Sequence, residues 1–381
     1  MSIVDARALP ADHSDLLHVD EHSIYFRRRE VEGKYDLCRY DFEDESITSL
    51  TPDGLRDRGP TKPFVRDKMV YCLNETDASG GVSKTALIRF DLRSGRLEVL
   101  NEWEYPGDLT LYWMMNDRFA VLIHQDEGKT DAFLYDIETN RQASIKDERF
   151  YGVTEAYREL YFFGVKLEKG EYIVCNARLD EFSFYEALED GIISPEDPID
   201  HSESLLIAPL DLIVDSIFTD VALLPFEVML RLEGEGDTVQ YLGEKEGRLY
   251  FSAYIDRKNE ETIYAVTDPD ELLAVQTLRW SDFEPFDFTY DDVESTIFIT
   301  NDRSEEHYEV IDVRSGARYL DKEPFERVLE GRYYIHEAIG EDAEPMVSIY
   351  DAEQNTRHAF DDAYYVTVDG HIVLLSVNEL K

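Results

Sequence analysis

The side chains best suited to move protons or hold cations in this 381-residue chain are nine histidines and 83 aspartates and glutamates. The histidines are scattered, with no HExxH pair and no spacing that would gather a ligand set, so neither a metal site nor a cofactor is expected. His124 in VLIHQD and His336 in YYIHEA stand on runs that read as second strands of hairpins. Either would serve as general acid or base if it faced a cavity beside a tyrosine or a carboxylate; the plainer role is a strand histidine satisfied by a neighbouring carboxylate. Carboxylates crowd the turns between first and second strands: Asp20 and Glu21, Asp117, Glu246, Asp291 and Asp292, Glu330, and Asp369. Asp117 and Glu330 are the acid or base candidates to accompany the two histidines. Glycoside chemistry would need two such groups about 5 to 9 Å apart, which spacing along the chain does not reveal. Asp291 and Asp292 could attract a cationic ligand or supply hard oxygen ligands to calcium, yet no DxDxDG loop is present and a solvated rim is the simpler account.

Other candidate ligand contacts are aromatic or cationic. Tyr112 and Trp113, with Tyr333 and Tyr334, would make a platform if adjacent strands exposed them, although strand aromatics more often fill a core. In the run Arg27-Arg28-Arg29, alternation along a strand prevents one continuous patch. Arg28 could meet a carboxylate-bearing ligand, against the plainer expectation of local ion pairing. No glycine belongs to a Rossmann or Walker phosphate loop. Cys38, Cys72 and Cys175 lie inside apolar strands without zinc or redox spacing, which points to ordinary reduced cysteines.

The elements that must position these groups recur. LCRYDFEDESITSL, ALIRFDLRSGRLEVL, AFLYDIETNRQASI, YEVIDVRSGARYL and VSIYDAEQNTRHAF each end a β-rich run with an aspartate, turn through polar residues, and start another run. Asp41, Asp91, Asp136, Asp312 and Asp351 are therefore expected to accept local backbone hydrogen bonds. A second hairpin type, as in TLYWMMNDRFAVLIHQ or ERVLEGRYYIHEA, precedes these turns. The two hairpins make a four-stranded unit of about 40 to 47 residues, the length of a propeller blade.

Seven units begin near residues 16, 63, 110, 151, 240, 286 and 327. The expected fold is a single all-β domain over residues 1–381, a seven-bladed β-propeller with four-stranded antiparallel blades. Residues 180–225 read as an insertion in the middle blade, whose last strand is 227–232. The terminal hairpin, residues 364–378, should close the ring, either by extending the first blade or by joining Ser2–Leu9 in a separate sheet that would make eight.

At its YD and D-x-R-S-G turns the chain resembles the broad β-propeller superfamily, in particular divergent bacterial propellers grouped around TolB-like and quinoprotein-like repeats, over most of residues 12–378. The Gly-His and Trp-Asp pairs of WD40 repeats and the double glycines of Kelch repeats do not recur. Such propellers bind proteins or carbohydrates, or act as lyases and hydrolases, so the resemblance implies a fold before it implies a chemistry.

Composition narrows the partners. A formal net charge of -45, with 12% aromatic and 43% hydrophobic residues, describes a folded acidic protein that the field of nucleic acid or an anionic membrane would repel. The start shows no signal-peptide pattern, and a reduced, cytoplasmic setting is expected. The leading functional expectation is a noncatalytic binding or scaffold propeller for a protein or small-molecule ligand, monomeric or weakly oligomeric, taking its ligand at one funnel with help from the insertion. The alternative is a propeller enzyme with carbohydrate lyase or hydrolase chemistry.

Overall fold

Alternation along the second and third strands of each hairpin pair sends successive apolar side chains to opposite faces of a sheet, so every such sheet must be covered on both sides. The computed structural model shows how this is met. It describes residues 2–9, 11, 15–31, 34–56, 63–76, 83–105, 107–126, 129–147, 158–179, 185, 187–188, 201–269, 271–279, 296–300, 308–312, 318–321, 327–329, 332–339 and 345–376.

The chain is an all-β, seven-bladed propeller whose blades follow one another in sequence. Blade 1 comprises Leu16–Val19, Ser23–Val31, Lys34–Asp41 and Ile47–Ser49, with Leu55–Arg56 as a fifth strand beside the third. Blade 2 runs from Phe64–Arg66 to Arg96–Tyr105, blade 3 from Asp108–Met114 to Arg141–Ile145, and blade 5 from Thr238–Lys245 to Leu273–Arg279, each with four antiparallel strands. Of blade 6 the described strands are Thr296–Thr300, Tyr308–Asp312 and Arg318–Asp321; blade 7 runs from Arg327–Leu329 to Thr356–Asp361. Blade 4 takes its first two strands from Arg158–Leu167 and Gly170–Leu179, its third from Glu203–Pro209, and its last from Glu227–Leu232. The 180–225 stretch thus contributes a blade strand, followed by the helix Leu210–Phe218. That helix buries Leu210, Ile213, Val214 and Ile217, the spacing of one helical face.

A separate three-stranded sheet joins the two ends of the chain. Ala363–Val368 pairs antiparallel with His371–Ser376, and Ser2–Asp5 pairs parallel with the latter, Ser2 opposite His371 and Asp5 opposite Leu374. The terminal hairpin is therefore not added to blade 1; with it the described sheets number eight, seven blades and this closing sheet.

The chain divides into two compact units, residues 1–144 with 337–348 and 359–381, and residues 145–336 with 349–358. In the first unit the alternation predicted above is visible residue by residue. Val70 and Cys72 of blade 2 pack with Tyr25, Tyr35 and Leu37 of blade 1, while Tyr71 and Leu73 turn the other way to meet Leu111, Leu122 and Tyr135 of blade 3. Ile24, Phe26 and Cys38 leave the opposite face of blade 1 to join Val373 and Leu375 of the closing sheet. In the second unit Val174, Leu205 and Ile207 of blade 4 pack with Val239, Leu249 and Phe251 of blade 5. All three cysteines are buried, as their apolar strands imply, and none is in a disulfide among the described residues.

The recurring aspartates do the local work expected of them. Oδ1 of Asp41, Asp91, Asp136 and Asp351 accepts the N–H two residues ahead, from Glu43, Arg93, Glu138 and Glu353. Four residues after each aspartate the chain turns left-handed, at Glu45, Gly95, Asn140 and Asn355. At two of these turns the preceding tyrosine hydroxyl binds the asparagine side chain, Tyr135 to Asn140 at 2.9 Å and Tyr350 to Asn355 at 3.0 Å. Asp136 and Asp351 are each also gripped by both arms of an arginine, Arg118 and Arg332, at 2.7 to 3.0 Å. Asp312 is the exception, since its side chain lies outside the described residues.

Candidate functional site

A cleft with several converging polar side chains lies in the first unit, where the closing sheet meets blade 1. It is open to solvent, encloses about 370 Å³, and draws its wall from four separate stretches: Ser2 to Asp5, Asp20 and Glu21, Tyr40 with Phe42 and Glu45, and His371. Its construction follows from two tight turns. Asp369 and Gly370 both have positive φ, 49° and 76°, which suits an Asp-Gly hairpin turn and places the Asp369 carboxylate beside blade 1. There Oδ2 of Asp369 accepts the His18 Nδ1–H at 2.6 Å and the Val19 N–H at 2.9 Å. On the adjacent strand Ser2 Oγ and His371 Nδ1 share a hydrogen bond of 2.8 Å. The second turn is made by Asp20, whose Oδ1 accepts the N–H groups of His22 and Ser23 while Oδ2 takes the Lys68 ammonium of blade 2 at 3.0 Å.

Electrostatics differ around this wall. Burial opposes charge on Asp20 and Asp369, but the hydrogen bonds they accept outweigh it and hold both carboxyls below the usual range. Burial pushes the His371 imidazole down, leaving it neutral at pH 7. The Tyr40 phenol is pushed up, first by burial and then by the carboxylates of Glu45 and Asp5. Asp5 is paired with Arg7, which also donates to the carbonyl of Asp361. Glu21 and Glu45 have no ion-pair partner among the described residues and are exposed. Among the described residues no three His, Cys, Asp or Glu converge to hold a metal ion.

Most of the residues singled out from sequence lie elsewhere. His124 is half-buried in blade 3, opposite Leu109 and Asp131. His336, half-buried in the second unit, has a buried Nδ1 with no hydrogen-bond partner among the described residues. Asp117 is exposed in the turn before Phe119, and Tyr112 is the extra residue of a β-bulge between Leu111 and Trp113. Tyr333 is buried beneath the Arg332 guanidinium, 4.6 Å from its ring. Arg28 donates to the buried Asp36 at 3.1 Å, a local ion pair within blade 1. Burial opposes the charge on Asp36, but the bonds it accepts, two from Thr51 among them, more than offset this and lower its pKa. Glu330, Asp291 and Asp292 lie outside the described residues. Of the turn carboxylates, Asp20 and Glu21 are brought to the cleft, with Asp369 bracing it from behind.

Ser2, Asp5, Tyr40, Glu45 and His371 were not foreseen as neighbours. The available signal was the hairpin YYVTVDGHIVLLS together with a strand at Ser2: once those pair, His371 must sit next to Ser2, and both beside blade 1.

No protein-family model and no curated protein sequence matches the chain. Solved structures similar to it include the dipeptidyl peptidase 4 of Porphyromonas gingivalis, at 8% identity and a TM-score of 0.46, covering 93% of this chain and 54% of the peptidase. The chain therefore spans about half the length of that enzyme. An uncharacterised protein of Listeria monocytogenes is similar at 11% identity and a TM-score of 0.43, covering 94% of this chain and 96% of the other. TolB from Acinetobacter baumannii is similar at 10% identity and a TM-score of 0.30, covering 92% and 81%. Sheet order and blade period together make this chain a divergent β-propeller.

Proposed function

We propose that the protein is a noncatalytic binding propeller that receives a protein segment or a small molecule at the cleft between its closing sheet and blade 1. The observation that supports this is the cleft itself: a concave site of about 370 Å³, walled by aromatic and polar side chains from four distant stretches and braced by the His18–Asp369 and Ser2–His371 contacts. Such bracing costs conformational freedom when the chain folds and leaves less to be lost when a ligand enters. A thermal-shift screen of chemically diverse ligands tests the reading. Hits on the wild type should weaken in the paired variant Glu21→Gln/Glu45→Asn, whose substitutions are exposed and leave the core untouched; hits indifferent to them would place binding elsewhere.

A second reading, carbohydrate lyase or hydrolase chemistry, draws on one observation: His371 shares the cleft with Asp20, Glu21 and Glu45, and an imidazole beside carboxylates is the equipment of general acid–base catalysis. Cleavage of an oligosaccharide by the wild type that is lost in His371→Gln would favour it over simple binding.

A further inference from the structure

We infer that the fold is built to depend on the ionic strength of its medium: dissolved monovalent cations, drawn by the charge of the whole surface and held at no fixed site, stabilise the folded chain, and their dilution loosens it. This goes beyond the binding reading and does not rest on the cleft.

The chain's own cations cannot supply this compensation. Its 38 lysines and arginines face 83 aspartates and glutamates, so with every cation matched to one carboxylate 45 are left over. The structure shows cations drawn into local pairs, some of them shared. Arg118 holds Asp136 at 2.7 Å and Glu138 at 3.1 Å, and Arg332 holds Asp351 and Glu353, both at 2.7 Å. An arginine engaged by two carboxylates of its own blade neutralises nothing elsewhere on the surface.

Carboxylates also stand where local physics disfavours them. The helix Leu210–Phe218 presents exposed Asp211 and Asp215 one turn apart and has no basic residue in its last turn. Like charges at that spacing repel, and Asp215 opposes the helix dipole as well; both effects are of the kind that salt screens. Glu45 and Glu246 hold left-handed φ of 56° and 53°, a conformation that glycine or asparagine adopts at lower cost. At these turns surface charge has taken precedence over backbone preference.

Repulsion among the surplus carboxylates raises the free energy of the compact state more than that of the expanded chain, where the same charges lie further apart. Its reach is the Debye length, about 30 Å at 0.01 M salt, about 10 Å at 0.1 M and about 3 Å at 1 M. Only near the last value does an exposed carboxylate cease to feel those on neighbouring turns. A medium of roughly molar salt is therefore the one this surface suits.

Urea unfolding of the full-length protein at pH 7 tests the inference, since urea is uncharged and leaves ionic strength unchanged. The urea midpoint should climb by at least about 1 M between about 0.01 M and about 1 M KCl. Choline chloride should reproduce the climb, because any monovalent cation screens. A variant carrying Glu43→Gln, Asp53→Asn, Asp117→Asn, Asp215→Asn, Glu235→Gln and Glu271→Gln removes six exposed carboxylates, drawn from both units, that make no ion pair among the described residues. It takes the net charge from -45 to -39. Repulsion of spread charge scales with the square of that number, so the climb should shrink by about a quarter, chiefly through a higher midpoint at low salt.

A climb below about 1 M, or one undiminished in the variant, would overturn the inference. A climb in choline chloride less than half of that in KCl would reveal a selective potassium site and overturn it too.

Discussion

The grip of Arg118 on Asp136 can be tested quantitatively because both its geometry and its electrostatic effect are defined. Asp136 is 3% exposed; its two oxygens take Nε and Nη2 of Arg118 at 2.8 and 2.7 Å, the Thr139 hydroxyl at 2.7 Å, and the N–H of Glu138 at 3.1 Å. Arg118 in the lead, these partners overcome burial and lower the carboxyl from 3.8 to about 2. Such a difference corresponds to at most ~2.4 kcal/mol in favour of the folded state when the group is ionised. The Arg118 side chain is 40% exposed, so water screens part of this and about 1 kcal/mol is the expected share of the pair. The perturbation is a double-mutant cycle at pH 7 with Arg118→Met, Asp136→Asn and both together, followed by urea unfolding. Methionine keeps an apolar stem near the Phe119 ring, over which the guanidinium sits at 4.8 Å, and asparagine can still accept the backbone bonds of the turn. The coupling energy should be about 1 kcal/mol. Because the carboxyl is held below its ordinary value, this contribution is present above pH ~4 and is lost as pH falls toward ~2. Additive single effects, with coupling below about 0.3 kcal/mol, would refute the reasoning.

Three further outcomes follow from local geometry. Gly370→Ala should cost about 1 to 2 kcal/mol in urea unfolding, since φ is +76° but a new Cβ would meet nothing within 4 Å; Gly107→Ala, with φ +83° and a Cβ 2.2 Å from the Gln125 carbonyl oxygen, should cost clearly more. Asn140→Gly keeps the left-handed turn and loses the Tyr135 hydroxyl bond, so it should cost about 1 kcal/mol less than Asn140→Ala, which loses both. Burial holds the His371 imidazole below its ordinary value of 6.5, so the unfolded chain takes up that proton first. Stability should therefore fall as pH drops through about 6, and a titration of the unfolding midpoint should be flatter over that range in His371→Gln.

How far the molecule could be read in advance depended on the distance over which each decision is made. Blade period, the aspartate turns and the inward cysteines are settled within one or two hairpins, where alternation and turn chemistry act directly, and the sequence shows them. The arginine clamps needed one more step. Arg118 precedes Asp136 by 18 residues and Arg332 precedes Asp351 by 19, the span of two strands and their hairpin. Yet the corresponding position in blade 2 is Lys68, which reaches across to Asp20 of blade 1 and leaves Asp91 to Ser94. No local pattern distinguishes these choices, because the partner depends on how neighbouring sheets face each other. The cleft is further out of reach: its wall joins residues 2–5 to residue 371, and the Asp369 brace joins residue 369 to residue 18. Those pairings are fixed only when the closing sheet forms. The groups with the most suggestive sequence context, such as Arg28 and Tyr333, found their partners within a hairpin, whereas the wall of the cleft is completed only where the ends of the chain come together. A site made in that way depends on the closure, so substitutions that loosen Asp369 or Gly370 should weaken the binding proposed for the cleft, although neither residue lines it.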